Sequence, residues 1–448
     1  MLSAYTNLRT RKLTFVTILF FLNFTPLVQA QLKLPKLNQV KKTLQDATEI
    51  AYTTAYFVNA TRRTTEEFNK TVKVVKGNGN RGTADNKPVA ADEVTKPKYK
   101  KGEFTNFAWE PVAHFDNQLF PSMIISMANY KGSVDGAFMS SIKSSSLGFR
   151  FISNKSYIPL KWEVESVDKT YFDKIGGDFM FERAGQEIYF MPDIPWNFAT
   201  LAKQTSSTPV TIIFRLFDEE GNKVEKSASL FMRSVNDCIY QYRDTKFDFL
   251  FTAYIQEQHP EVDKILKEAL NTKLIKSVSG YQGDEANTIL QVAAVWKVLH
   301  DRGFQYSSIT TTSTNSTQNL RSQMVRTFDN SLKTNQANCV DGTVVFASIL
   351  RAINISTVMV LTHDHCFLGF YTSSKKDKIV YLETTMLSHS DIIDKAKTPA
   401  EKNQAYVEQF LKAVKVAKLE YDDYKSKNDL TEIDVNYYRN VVRPLPFQ

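Results

Sequence analysis

The residues best suited to do chemistry together lie in one short stretch of this chain. Cys339 stands in Asn338-Cys339-Val340-Asp341-Gly342, His365 in His363-Asp364-His365-Cys366-Phe367, and Glu383 in Leu382-Glu383-Thr384-Thr385. A thiol, an imidazole and a carboxylate supply a nucleophile, a base and a group that orients the base. Their joint chemistry is attack on a carbonyl carbon through an acyl-enzyme. Any one of the three residue types alone is a weak signal, because lone histidines and buried cysteines are usually structural.

The flanking residues say how the three would be positioned. Asn338 is a good N-cap, and Asp341 sits three residues on, where a reciprocal capping carboxylate belongs. Thr343 to Ile353 is apolar nearly all round, as in a buried central helix. Cys339 then falls in the first turn, where partial positive charge favours thiolate. The negative charge of Asp341 works slightly against this, so Asp341 is read as a cap. Ser356 to Leu361 is a β-branched run, and His363 to Tyr371 and Ile379 to Thr385 flank a polar turn at Thr372 to Asp377. The pattern reads strand, strand, turn, strand. A hairpin centred on Ser374 sets His365 opposite Glu383, Phe367 opposite Tyr381 and Gly369 opposite Ile379, all on one face. A one-residue slip would break the pair. His363, the rival base, does not fit this register with Glu383.

This order of Cys at a helix start, His on a strand and acid on the next strand resembles the transglutaminase-like superfamily, relatives of papain-type thiol enzymes. The resemblance covers roughly residues 285–390. It implies an α+β fold with a transglutaminase-like (papain-like) catalytic domain. By the family pattern Cys339 matches the nucleophile and His365 the general base. Glu383 stands where most relatives have Asp, and the usual aromatic after the His is Phe367, two residues on. The oxyanion would be held by the Cys339 N–H and one upstream donor, with Gln282, Gln291 and Gln336 as candidates. The implied function is an acyl-transfer enzyme acting on peptide or carboxamide bonds of a protein or peptide substrate. Hydrolysis is favoured over transamidation, since nothing announces an amine-acceptor site. No metal or organic cofactor is needed. Because such families include inactive members, the alternative is a catalytically inactive binding or scaffold protein of the cell envelope.

The rest of the chain supplies context. Its 448 residues, 42% hydrophobic and 23% charged, suit two to three globular domains. Its three cysteines, odd and sparse, exclude a disulfide framework, and the lack of any C-x-x-C argues against a structural zinc site. Cys366 is read as packing on the opposite strand face, Cys238 lies at a domain junction, and a bridge between them is left open. Residues 1–30 read as a signal peptide: Arg9, Arg11 and Lys12, then Leu13 to Phe24, then Val28-Gln29-Ala30. The expected location is therefore periplasmic, envelope or extracellular, in a bacterial exported protein. The net charge of +8 is spread thinly, without basic runs interleaved with aromatics, so nucleic acid is not an expected partner. Residues 31–76 read as helical, with Leu44, Ile50, Phe57 and Val58 at helical spacing. Membrane association through 37–76 is not favoured, because acidic and basic residues are mixed there. Residues 77–103 read as a linker.

Residues 104–236 read as a β-sandwich-like domain. Leu160, Trp162 and Val164 alternate with polar residues, and Val210 to Phe217 returns through a turn at Asp218 to Asn222. Trp162 and Trp196 are assigned to the core. Residues 237–448 read as the transglutaminase-like domain with a helical C-terminal extension. Helices are expected within Phe247 to Gln258, over Glu261 to Leu270, Ile289 to Leu299 and Ala405 to Leu419.

Overall fold

The computed structural model describes residues 104, 106–130, 147–182, 184–185, 187–308, 319–388 and 392–447. The expected signal peptide, the 31–76 helix and the 77–103 linker lie outside the described residues.

Strands β1 (Phe107–Ala113), β2 (Gln118–Leu119), β3 (Leu147–Ser153), β4 (Ile158–Ser166), β5 (Ile175–Phe181), β6 (Glu187–Phe190), β7 (Thr208–Phe217) and β8 (Lys223–Met232) form two sheets, ordered β1-β3-β6 and β2-β8-β7-β4-β5. Alternation in β4 buries Leu160, Trp162 and Val164 and exposes Lys161. The β7–β8 hairpin closes where Asp218 accepts the Asn222 N–H at 2.8 Å. Aromatic rings join the sheets: Phe149 meets Phe214 edge-on at 5.5 Å, and Trp162 meets Phe190 at 5.3 Å. Trp196 is buried against Phe172.

The second half runs β9 (Asp237–Tyr242), β10 (Thr245–Lys246), α1 (Pro260–Asn271), α2 (Glu285–Asp301), β11 (Gln305–Tyr306), β12 (Leu320–Met324), α3 (Phe328–Thr334), β13 (Gln336–Ala337), α4 (Cys339–Ala352), β14 (Thr357–Leu361), β15 (Cys366–Tyr371), β16 (Ile379–Leu382), α5 (Pro399–Ser426) and β17 (Thr431–Asp434). The molecule is α+β, with several separate sheets. The junction near residue 236 is buried: Ser122 donates to Asp237 O at 2.7 Å, and Arg233 pairs with Asp237 at 2.9 Å.

An antiparallel sheet of order β16-β15-β14-β17 positions the chemistry. Side chains alternate across it. Val358, Val360, Phe367 and Tyr381 pack on Ala417 and Tyr421 of α5. From the other face Cys366 reaches Thr343 of α4, Sγ to Oγ1 3.6 Å. Trp296 of α2 touches both Phe346 of α4 and Phe410 of α5. Helix α4 is buried from Cys339 through Leu350, as its all-round apolar sequence requires.

Two expectations change. The Phe247 to Gln258 run folds as a 3₁₀ turn over Asp248–Tyr254 rather than a longer helix. The C-terminal extension is not all helical, because Thr431–Asp434 pairs with β14 and completes the sheet.

Candidate active site

Cys339 is the first residue of α4, and the cap is reciprocal. Asn338 Oδ1 accepts the Asp341 N–H at 2.9 Å, and Asp341 Oδ2 accepts the Asn338 N–H at 3.1 Å. Asp341 also accepts the Arg326 N–H at 2.8 Å and its guanidinium at 2.7 Å. Burial pushes the Asp341 carboxyl up, and these bonds only partly oppose it. Asp341 is thus a structural hub under the thiol, and Arg326 is a partner that sequence reasoning did not identify.

His365 Nε2 lies 2.7 Å from Glu383 Oε2. Glu383 is 2% exposed, and its Oε1 accepts the Thr385 N–H at 2.9 Å and the Thr385 hydroxyl. Burial alone would raise its pKa, but the bond and charge of His365 and the bonds from Thr385 hold it below the usual range. Burial also disfavours a charged imidazole at His365. Hydrogen bonding with Cys339 and Glu383, and their negative charge, outweigh that and push the ring up to about 10. The three residues therefore meet, with Cys339 and Glu383 both acting on His365.

They meet in a register different from the expected one. Leu368 pairs with Leu382, Gly369 with Tyr381, and Tyr371 with Ile379. The hairpin is centred on residue 375, because its turn runs from Thr372 to Lys378 and passes through Lys376 at φ 55°. Phe367 thus lies diagonal to Tyr381, and their rings meet edge-on at 6.1 Å. The correction moves pairing by two positions, which preserves the face. His365 and Glu383, each one residue beyond its strand, are diagonal neighbours, and the longer Glu arm spans the offset.

The other sequence candidates divide. Gln291 is removed from the oxyanion set: its Oε1 accepts Ser279 N–H and Gly280 N–H, both at 2.9 Å, and its Nε2 donates to Gly280 O at 2.8 Å. It clamps a turn in which Gly280 holds φ 57°, where a Cβ would lie 2.2 Å from Ile353 O. Gln282 is exposed in that same turn. Gln336 is half-buried on β13, three residues before Cys339. His363 is 65% exposed and is bonded to Asp429 at the rim. Cys238 and Cys366 are unpaired, fully buried thiols pushed well up by that burial, so the bridge left open does not form.

Cys339, Val340 and His365 line a cleft of about 520 Å³. Its walls include Tyr240 and Arg321 from the β9–β12 sheet, and Asp364 and Asp429 opposite. Two neighbours went unnoticed in the sequence. Tyr306 of β11 is raised first by burial and then by the charges of Cys339 and Glu383, and it lines a separate small pocket with Asn338, Thr384 and Thr385. Glu420 of α5 lies 3.8 Å from His365 Nε2. An acid inside the stripe Phe410, Ala413, Ala417, Tyr421 was the available signal. His365, Glu383 and Glu420 also bring one ligand atom each within 4.8 Å of one another. The 2.7 Å His365–Glu383 bond occupies the facing atoms of two of them, so the set fits a hydrogen-bonded group better than a cation cage. No helix among the described residues is long and apolar enough to cross a membrane. The chain matches no protein-family model, no curated protein and no solved structure.

Proposed function

We propose that this chain is an exported thiol enzyme of the transglutaminase-like type, acting on peptide or carboxamide bonds. The observation that carries this reading is the cleft-lining thiol of a capped helix beside an imidazole that is itself bonded to a buried carboxylate. Glu383 engages Nε2, and in the proposed reading Nδ1 serves Cys339. An imidazolium beside a thiolate is a standing nucleophile–acid pair.

In the proposed reaction Cys339 Sγ bonds to the substrate carbonyl carbon and the carbonyl π pair moves to oxygen. First-turn N–H groups of α4 have no intrahelical acceptor, so the Cys339 N–H is a suitable oxyanion donor. The imidazolium of His365 gives its proton to the leaving nitrogen as the C–N bond breaks, forming a thioester. Water then attacks, His365 takes its proton, and the C–S bond breaks to release acid and thiolate. Hydrolysis is preferred because no residue of the cleft marks an amine-acceptor site.

Two measurements test this. Iodoacetamide at neutral pH is expected to modify Cys339 fastest of the three thiols, and His365→Ala is expected to slow it. A rate at Cys339 equal to an ordinary thiol and indifferent to His365→Ala sinks the enzyme reading in favour of a binding protein. Mass spectrometry after incubation with a peptide library and a primary amine then separates cleavage, deamidation and amine incorporation.

A further inference from the structure

Helix α5 brings to the thiol site a residue that the reaction above does not use. Glu420 Oε2 stands 3.8 Å from His365 Nε2, on the ring edge that already bonds Glu383. The side chain is 36% exposed, yet Oε2 itself is shut off from solvent and accepts no hydrogen bond. Glu383 faces it, with its own oxygens committed to Thr385 and the imidazole.

Two carboxylates turned toward each other in a water-poor place repel unless a proton or a cation lies between them. The groups that act on Glu420 are Glu383 from the segment after β16 and His365 and Asp364 from the turn before β15. Tyr424, one turn on along α5, is affected by Glu420 and donates to Asp364 at 3.1 Å. Cys339 acts on the same ring by hydrogen bond and charge. Of these, only His365 can carry positive charge.

We propose that Glu420 is a second orienting carboxyl of this site, a positioning residue that braces the charged imidazole against Glu383 and keeps Nδ1 toward Cys339. This rests on the thiol-enzyme reading and adds that the ring is held by a carboxyl pair rather than by one acid. Burial, then the charge of Glu383, push Glu420 up to about 7. The pair therefore keeps one proton below neutrality and sheds it above. Once Glu420 is ionised, the imidazolium holds its own proton more tightly.

The test is the rate of iodoacetamide modification of Cys339, followed by mass spectrometry from about pH 5 to about pH 11.5, so that the step near 10 lies inside the range. A thiol beside an imidazolium gains reactivity in two steps, first as the ion pair forms and again as the ring loses its proton. Glu420→Gln keeps the size and removes the charge, and is expected to move the upper step down by about one pH unit. Glu420→Asp keeps the charge and is expected to return the step toward the wild-type position. Glu420→Ala carries the same expectation as the amide and replaces it if the amide does not fold. An unmoved upper step in Glu420→Gln or Glu420→Ala overturns the inference. So does a zinc-dependent loss of labelling that Glu420→Gln abolishes while the metal-free profile stays unmoved, which would make the group a cation site. His365→Ala separates the two levels: if it leaves Cys339 labelling unchanged, the thiol-enzyme reading fails. If it changes labelling and Glu420→Gln does not, only the role of Glu420 fails.

Discussion

An imidazole bonded to a buried carboxylate and hydrogen-bonded with a thiol stays charged through neutral pH. His365 is held up to about 10, against an ordinary value of 6.5. A raised folded-state pKa gives stability that is whole below about 6.5 and is lost as pH climbs toward 10. Wild type minus His365→Gln is therefore expected to shrink in urea unfolding across that window; a difference that grows contradicts it. Glu383 runs the other way. Its depressed pKa gives stability present above its ordinary 4.5 and lost as pH falls through the lowered value. The diagonal register adds a prediction about arm length. Glu383→Asp keeps the charge but loses a methylene, and is expected to slow turnover by about 10²-fold, measured as kcat/KM on any peptide found to be cleaved. Equal rates would mean the offset does not matter. That these three residues come together was readable from the capped cysteine and the alternation of the two strands, because a two-residue shift of register leaves the face unchanged. The distance between the two strands' ends was not, because a hairpin's centre depends on its turn, and the αL residue at Lys376 has no side-chain signature.

Between elements, the contact that sets the thiol against its base is the approach of α4 to the segment after β16. Gly342 permits it: a Cβ there would lie 2.7 Å from Thr384 Oγ1 and 3.1 Å from Thr384 Cβ. Gly→Ala inside a helix ordinarily gains up to about 1 kcal/mol. Here Gly342→Ala is expected to cost about 1–3 kcal/mol and to displace Glu383 with its neighbour. Thermal unfolding and Cys339 labelling would report the two effects separately. Asp341→Ala is the stronger lesion. It strips the acceptor from two backbone N–H groups and from Arg326, and is expected to cost about 3–5 kcal/mol in urea unfolding. The start of α4 was legible because a capping box is written within four residues. Arg326 and Glu420 were not, since each reaches the site through a tertiary contact. Gln291 misled for the complementary reason: an amide on a helix near the right place says nothing of a turn that will engage both its oxygen and its nitrogen.

At the scale of the whole molecule, the last residues tie distant parts together. Arg443 N–H bonds Ser126 O at 2.9 Å, Leu445 N–H bonds Ala253 O at 2.8 Å, and Gln256 Nε2 bonds Leu445 O at 2.9 Å. Val442 and Leu445 are buried. Ending the chain after Asn440 is expected to cost about 3–6 kcal/mol, from two buried apolar side chains at about 1.5–3 kcal/mol each. Unchanged urea midpoints would refute that. Periodicity showed the helix that precedes this tail, whereas its extended path carries no period to read. Helix α5, which delivers Glu420, and the tail beyond it also leave the ribosome after Cys339, His365 and Glu383. At roughly 5–20 residues per second, Cys339 precedes Glu420 and β17 by seconds of synthesis. The Cys339 segment therefore precedes, in chain order, the helix and strand that complete its surroundings, so the site closes only when segments far apart in sequence have met.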